Sequence, residues 1–203
     1  MLWGRYRPFP LTGASWRTGE RWYPERTEAG VFNSSVVFGP SGATLHNYRK
    51  VDLANDYERG CFLRGRALHV FDIGGVSCAV LICYDIEFPE MARRAAEMGA
   101  ELLIVPTALG QKWRIVSDCL VPVRAYENGI FVAYCNLAAE DEPRRFAGLS
   151  TICGPDGKPV LRADDRPGLF TAAIDTDEIG RVRNELNFLP DLALLRASCP
   201  AGS

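Results

Sequence analysis

Three apolar runs constrain this chain more than any other feature: "VSCAVLIC" at 76–83, "ELLIVPTA" at 101–108 and "IFVAYCN" at 130–136. Each is near-continuous rather than alternating, the pattern of a strand covered on both faces. Each is also too short to span a bilayer. Helical sequence separates them. Pro89 suits a first helical turn, where its missing N–H costs nothing, and Glu90 suits the positive helix end. "EMARRAAEM" is helical in composition, and Gly99 is a C-terminal stop. Residues 114–128, "RIVSDCLVPVRAYEN", predict a second helix that Pro122 kinks or breaks and Gly129 ends. Strands alternating with helices imply a layered α/β fold.

The flanks add hairpins. "VFNSSVVF", the turn "GPSG" at 39–42 and "ATLHNYRK" predict one; "LSTIC", "GPDG" at 154–157 and "KPVLRAD" predict another. "GLFTAAID" at 168–175 reads as a late strand, and "TDEIGRVRNEL" as a short helix with acids in its first turn. The tail after Asn187 reads as an arm that packs on something else, such as a second subunit. Residues 1–22 differ from the rest. They hold three of the four tryptophans and show no apolar periodicity. The expected organisation is an atypical segment, 1–22, and one domain, 23–203.

The bulk numbers exclude several classes. A net charge of −2 supplies no global basic field for nucleic acid or anionic lipid. The opening "MLWGRYRPFP" lacks the apolar core of a signal peptide. Seven cysteines, an odd number with no CxxC pair, point to a reduced cytoplasmic protein rather than a disulfide framework. Two histidines and no clustered ligands argue against zinc.

Chemistry concentrates in "LICYDIEFPE", 81–90. Cys83 ends a buried strand, and ligands in open α/β sheets bind beyond the carboxyl ends of strands. The N–H groups just after it precede a helix and can face an anion. A thiol still needs a cation, a helix end or a base to ionise. Lys50, at the end of "HNYRK", is the candidate cation, and Glu58 follows eight residues later. Taken singly, a cysteine here is ordinarily a small buried hydrophobe, the lysine an exposed strand end and the glutamate a solvated loop acid.

Taken in order, the pieces resemble the nitrilase superfamily of carbon–nitrogen hydrolases. The stretches are "YPER", "VFNSSVVFGPSG", "YRKVDL" with Glu58 and "FLRG", "LICYDIEFPEMARRAAEMGAELLIVPTA", "RAYENGIFVAYCN", "FAGLSTICGPDG" and "LPDLALL", from about Tyr23 to Ala193. The resemblance implies an αββα sandwich, here incomplete at the N-terminus, and a homodimer or larger homo-oligomer. It implies cysteine catalysis on a small-molecule amide with no cofactor and no metal. Cys83 matches the nucleophile and Lys50 the lysine that stabilises the oxyanion. The Tyr84 backbone N–H completes the oxyanion hole. Glu58 matches the further acid that orients lysine and substrate. Glu127 and Asn128 of "RAYEN" hold helix to strand. True nitrilases usually carry Trp-Glu after the cysteine; Tyr84-Asp85 resembles the amidase-type branches.

One part has no counterpart. The superfamily's general base is a glutamate in a Pro-Glu motif well upstream of the lysine, and only 49 residues precede Lys50. Glu25, in "YPER", aligns with a later strand, and Glu20 and Glu28 have no motif support. The expectation is therefore a truncated or misassigned reading of a complete enzyme, or a short protein that lacks its base. The alternatives are an inactive homologue acting as a binding or assembly partner, a Cys–His hydrolase using His46 or His69, and redox sensing through Cys83. Specificity is expected in the loops Thr107–Trp113 and Leu137–Phe146.

Overall fold

The computed structural model describes residues 7–11, 16–138, 140–141 and 144–199. Part of the expected 1–22 segment and part of the 137–146 loop lie outside them. The first sheet is antiparallel and runs in chain order through β1 (Arg7–Leu11), β2 (Trp16–Thr27), β3 (Gly30–Phe38) and β4 (Thr44–Arg49). Strand β2 passes without a break through the expected boundary at residue 22.

The second sheet is mixed. It contains β5 (Val70–Ile73), β6 (Val76–Val80), β7 (Leu102–Thr107), β8 (Phe131–Asn136), β11 (Thr151–Cys153) and β12 (Pro159–Arg162). Its order is β12-β11-β8-β7-β6-β5. The central pairs β6–β7 and β7–β8 are parallel, and the outer pairs are antiparallel. A two-residue ribbon joins β9 (Glu140–Asp141) to β10 (Arg144–Arg145). The short helix α1 (Asp56–Cys61) follows β4, and α2 (Pro89–Glu97) and α3 (Val121–Asn128) connect the parallel strands.

The apolar runs form the core, as their continuity predicts. Ala79, Val80, Leu103, Val105, Phe131 and Val132 are fully buried. Ala92, Ala95 and Ala96 of α2 and Val121 and Ala125 of α3 join them; small side chains let the helices approach closely. Val37 and Tyr48 enter the same core from the first sheet. Burying a medium-sized apolar side chain contributes about 1.5–3 kcal/mol, so this shared core holds the two sheets in register.

Local details depart from the sequence reading. The β6 ladder stops at Val80, because the chain turns out of the sheet just beyond it. The predicted 114–128 helix is divided into a π turn at Val116–Leu120 and then α3, and a separate 3₁₀ turn at Gln111–Trp113 precedes it. Pro122, which has no N–H to donate, lies in the first turn of α3. Residues 168–175 form no strand. Leu169 is 62% exposed there, so the β-forming composition lacks the half-buried surface that makes it a preference.

The tail forms α4 (Asp177–Glu185) and α5 (Phe188–Ser198). Helix α5 packs on its own chain: Phe188 meets Tyr126 edge-on at 5.4 Å, and Arg196 pairs with Glu97. Among the described residues no helix is long and apolar enough to cross a membrane.

Candidate active site

Strand β6 delivers Cys83. Leu81 still donates its N–H to Ile104 O at 3.1 Å, and two residues later the backbone reverses. Cys83 has φ of +50°, a left-handed conformation that costs an L-residue about 1–2 kcal/mol. A 3₁₀ turn, Cys83–Glu87, leads straight into α2 at Pro89. This tight strand–turn–helix joint leaves the sulfur at the carboxyl edge of the parallel strands. Burial pushes the Cys83 thiol up, while the Lys50 charge and a backbone hydrogen bond from Ala108 draw it down. Tyr84, the next residue of the turn, sets its ring edge-on to Phe88 at 4.9 Å.

Strand β4 delivers Lys50. The Lys50 N–H donates to Asn33 O at 2.8 Å, and its carbonyl accepts from the Gly65 N–H at 2.7 Å. Its side chain is 1% exposed and donates to both oxygens of Glu58, at 2.8 and 2.7 Å. Glu58 also accepts from Ala54 N at 2.7 Å and Asn33 Nδ2 at 3.3 Å. A buried ammonium requires this kind of pairing, because an unpartnered charge in the interior costs several kcal/mol. Glu58 sits in the first turn of α1, which Asn55 caps through a 2.9 Å bond to the Glu58 N–H. The Lys50 and Glu58 charges both act on Cys83, so the three expected side chains share one electrostatic site.

Glu25 is elsewhere. It accepts two bonds from Arg49, at 2.6 and 2.8 Å, and further bonds from Ser34 at 2.7 Å and Asn47 at 3.1 Å. Arg49 above all holds its carboxyl down at about 2, which makes it a very weak base. His46 is also remote. It stacks on Phe71 at 4.4 Å, four residues and so roughly 13 Å back along β4 from Lys50. His69 lies beside it, with ring centres 6.0 Å apart.

A family model of carbon–nitrogen hydrolases matches residues 16–184 of the chain. The chain belongs to the carbon–nitrogen hydrolase family. It is 37% identical over 171 residues to a protein described as hydrolase in pqqF 5′ region, from Pseudomonas protegens; the match covers 83% of this chain and 60% of that one. It is 31% identical to 2-oxoglutaramate amidase from Bacillus subtilis, covering 82% and 65%. The chain therefore spans less than two thirds of these relatives' length. The crystal structure of an amidase from Nesterenkonia sp. superposes with a TM-score of 0.76 at 34% identity, covering 84% of this chain and 66% of that one. One variant of that amidase carries the acetamide moiety of fluoroacetamide covalently added at its active-site cysteine. The nitrilase-like α/β fold follows from the same superposition.

Further residues around the cysteine turn have contacts that the sequence did not assign. Arg124, 6% exposed, donates to Ile86 O at 3.0 Å and Glu87 O at 2.8 Å, so α3 clamps the end of the Cys83 turn. Asn128, in the same "RAYEN" segment, ties to Arg124 O at 2.8 Å within the helix. Asp85 is fully buried beside the cysteine. Glu87 is half-buried, and burial raises its carboxyl while Lys50 lowers it. The partners of Arg124 and Asp85 are distant in sequence, and no local pattern records them. The two expected specificity loops do meet. Leu137 N–H donates to Thr107 O at 3.0 Å, Ala147 N–H to Leu109 O at 2.9 Å, and Gly110 bridges Phe146. Asn136 braces this junction with bonds to the Leu109 N–H and carbonyl at 2.8 and 3.1 Å.

Proposed function

We propose that this chain hydrolyses the amide bond of a small molecule through a thioester on Cys83, releasing ammonia and a carboxylic acid. The observation that carries the reading is a strained, strand-end cysteine sharing one electrostatic site with a buried lysine–glutamate pair, in a chain of the carbon–nitrogen hydrolase family. The thiol gives its proton to a base, and the thiolate attacks the amide carbon. The oxyanion is stabilised by the Lys50 ammonium and the Tyr84 backbone N–H. The base returns the proton to nitrogen as ammonia leaves. Water then attacks the thioester, its proton goes to the same base, and the acid and free thiol form.

Glu58 already carries four hydrogen bonds on its two oxygens, so we assign it to holding Lys50. We assign the proton exchange to Glu87, a half-buried acid on the same 3₁₀ turn as Cys83. An acid one turn along the same segment is a makeshift base. A second reading is accordingly a slow or inactive homologue that binds or assembles, favoured by a thiol that burial holds protonated. Loss of a well-placed base costs about 10²–10⁴-fold in rate.

The test is ammonia release from short aliphatic amides and ω-amides by the chain, Cys83→Ala and Glu87→Gln, with mass spectrometry for an acyl adduct. Release that depends on Cys83, with an adduct on its peptide, supports hydrolysis. Release that survives Cys83→Ala removes the nucleophile. No release and no adduct on any substrate leaves the binding reading in place.

A further inference from the structure

One buried carboxylate joins the two segments that carry the sulfur and the ammonium. Asp85 Oδ2 accepts the Tyr48 hydroxyl at 2.8 Å and the Ile82 N–H at 2.9 Å; Oδ1 accepts the Asp52 N–H at 2.9 Å. Ile82 immediately precedes Cys83. Tyr48 and Asp52 flank Lys50 by two residues on either side. Asp85 is 0% exposed and Tyr48 1%. The carboxylate thus crosses from the second sheet to the first.

We propose, on the reading of the site given above, that ionised Asp85 is the positioning residue that sets Cys83 against Lys50. It touches neither substrate nor reacting atoms. It acts through the N–H of the residue before the nucleophile and through both sides of the lysine. A carboxylate accepts all three bonds at once; a carboxylic acid must turn one oxygen into a donor, and two of its three partners are N–H groups that can only donate. Protonation at Oδ2 therefore reverses the Tyr48 bond and leaves that oxygen a weaker acceptor for the Ile82 N–H, which loosens the brace at the end next to Cys83. The left-handed backbone of Cys83 makes the turn sensitive to that loosening, since strained conformations persist only where surrounding bonds hold them.

Among the described residues, the charged and titratable groups around Asp85 are few. From β4 come Tyr48 and Lys50, the latter paired with Glu58. The loop after β4 brings Asp52, paired with Arg64 at 2.8 Å. From α3 comes Arg124, paired with Glu127 at 3.1 Å. Glu87 lies on the same turn as Asp85. Desolvation outweighs the three hydrogen bonds and the lysine, and leaves the Asp85 carboxyl at about 6.

The experiment follows two readouts on the full chain, Asp85→Asn and Tyr48→Phe, from pH 4.5 to 8. One is alkylation of Cys83 by iodoacetamide, mapped to its peptide by mass spectrometry. The other is amide turnover. Asp85→Asn is expected to lower kcat roughly 10²-fold with KM little changed, as a misplacement of about 1 Å does. Tyr48→Phe, which keeps the carboxylate, is expected to lower it less. The pH profile of Cys83 alkylation is expected to break near pH 6 in the full chain and to lose that break in Asp85→Asn. A general loss of packing would lower rates at every pH and leave the break. If Asp85→Asn does not fold, Tyr48→Phe decides: a break shifted in pH supports the proposal, and an unshifted break with unchanged kcat overturns it. An unbroken alkylation profile in the full chain also overturns it. If no amide is turned over, the hydrolase reading fails, and the alkylation profile alone still decides the brace.

Discussion

Arg49 and Lys50 are neighbours in sequence and grip carboxylates on opposite faces of one sheet. Arg49 holds Glu25 at 2.6 Å on the face away from the second sheet, and Lys50 holds Glu58 at 2.7 Å beside Cys83. Period-two alternation along β4 accounts for the division. A one-residue slip in register would exchange the two cations and put a bulky guanidinium at the cysteine.

The Lys50–Glu58 pair is expected to fail asymmetrically. Glu58→Ala leaves an ammonium at 1% exposure without its carboxylate and is expected to cost about 3–5 kcal/mol. Lys50→Met leaves Glu58, which is 17% exposed and retains the Ala54 and Asn33 bonds, and is expected to cost about 1–3 kcal/mol. Urea unfolding of the two variants checks the order.

Position 83 separates stability from chemistry. Glycine tolerates φ of +50° and alanine does not. Cys83→Gly is therefore expected to be about 1 kcal/mol more stable than Cys83→Ala in denaturant unfolding, although both lack the thiol.

Gly65 supports the lysine from behind. A Cβ there would lie 2.0 Å from the Arg49 carbonyl oxygen, a backbone atom with no freedom to swing aside. Gly65→Ala is expected to destabilise by about 1–3 kcal/mol or more, and to break the Gly65–Lys50 bond. Alkylation of Cys83 should change with it, because the Lys50 charge moves. Melting curves and mapped alkylation together check both effects.

Glu25 makes stability fall on acidification. Its folded carboxyl lies at about 2, below its ordinary 4.5, chiefly through the Arg49 bonds. The folded state therefore binds fewer protons than the unfolded one between those values. The contribution is complete above about pH 4.5 and is lost as pH falls toward 2. Glu25→Gln is expected to unfold less steeply with acid over this window. Urea midpoints between pH 2.5 and 5 would show the difference.

The strands around the site were legible because burial on both faces leaves an unbroken apolar run, and chain order then places Cys83 at a strand end. Hairpins around "GPSG" and "GPDG" were legible through turn chemistry that requires glycine or favours proline. "GLFTAAID" was misread because β-forming residues make a strand only where a neighbouring edge and a half-buried face await them. The order of "YRKVDL", Glu58 and "LICYDIEFPE" alone pointed to Cys83, Lys50 and Glu58 as one set. What their neighbours do was decided by tertiary structure. Asp85 and Tyr48 are 37 residues apart, and Arg124 is 38 from the Ile86 carbonyl it holds. Local pattern records which face a residue takes; it does not record which distant hydrogen-bonding group will be waiting there once the two sheets close.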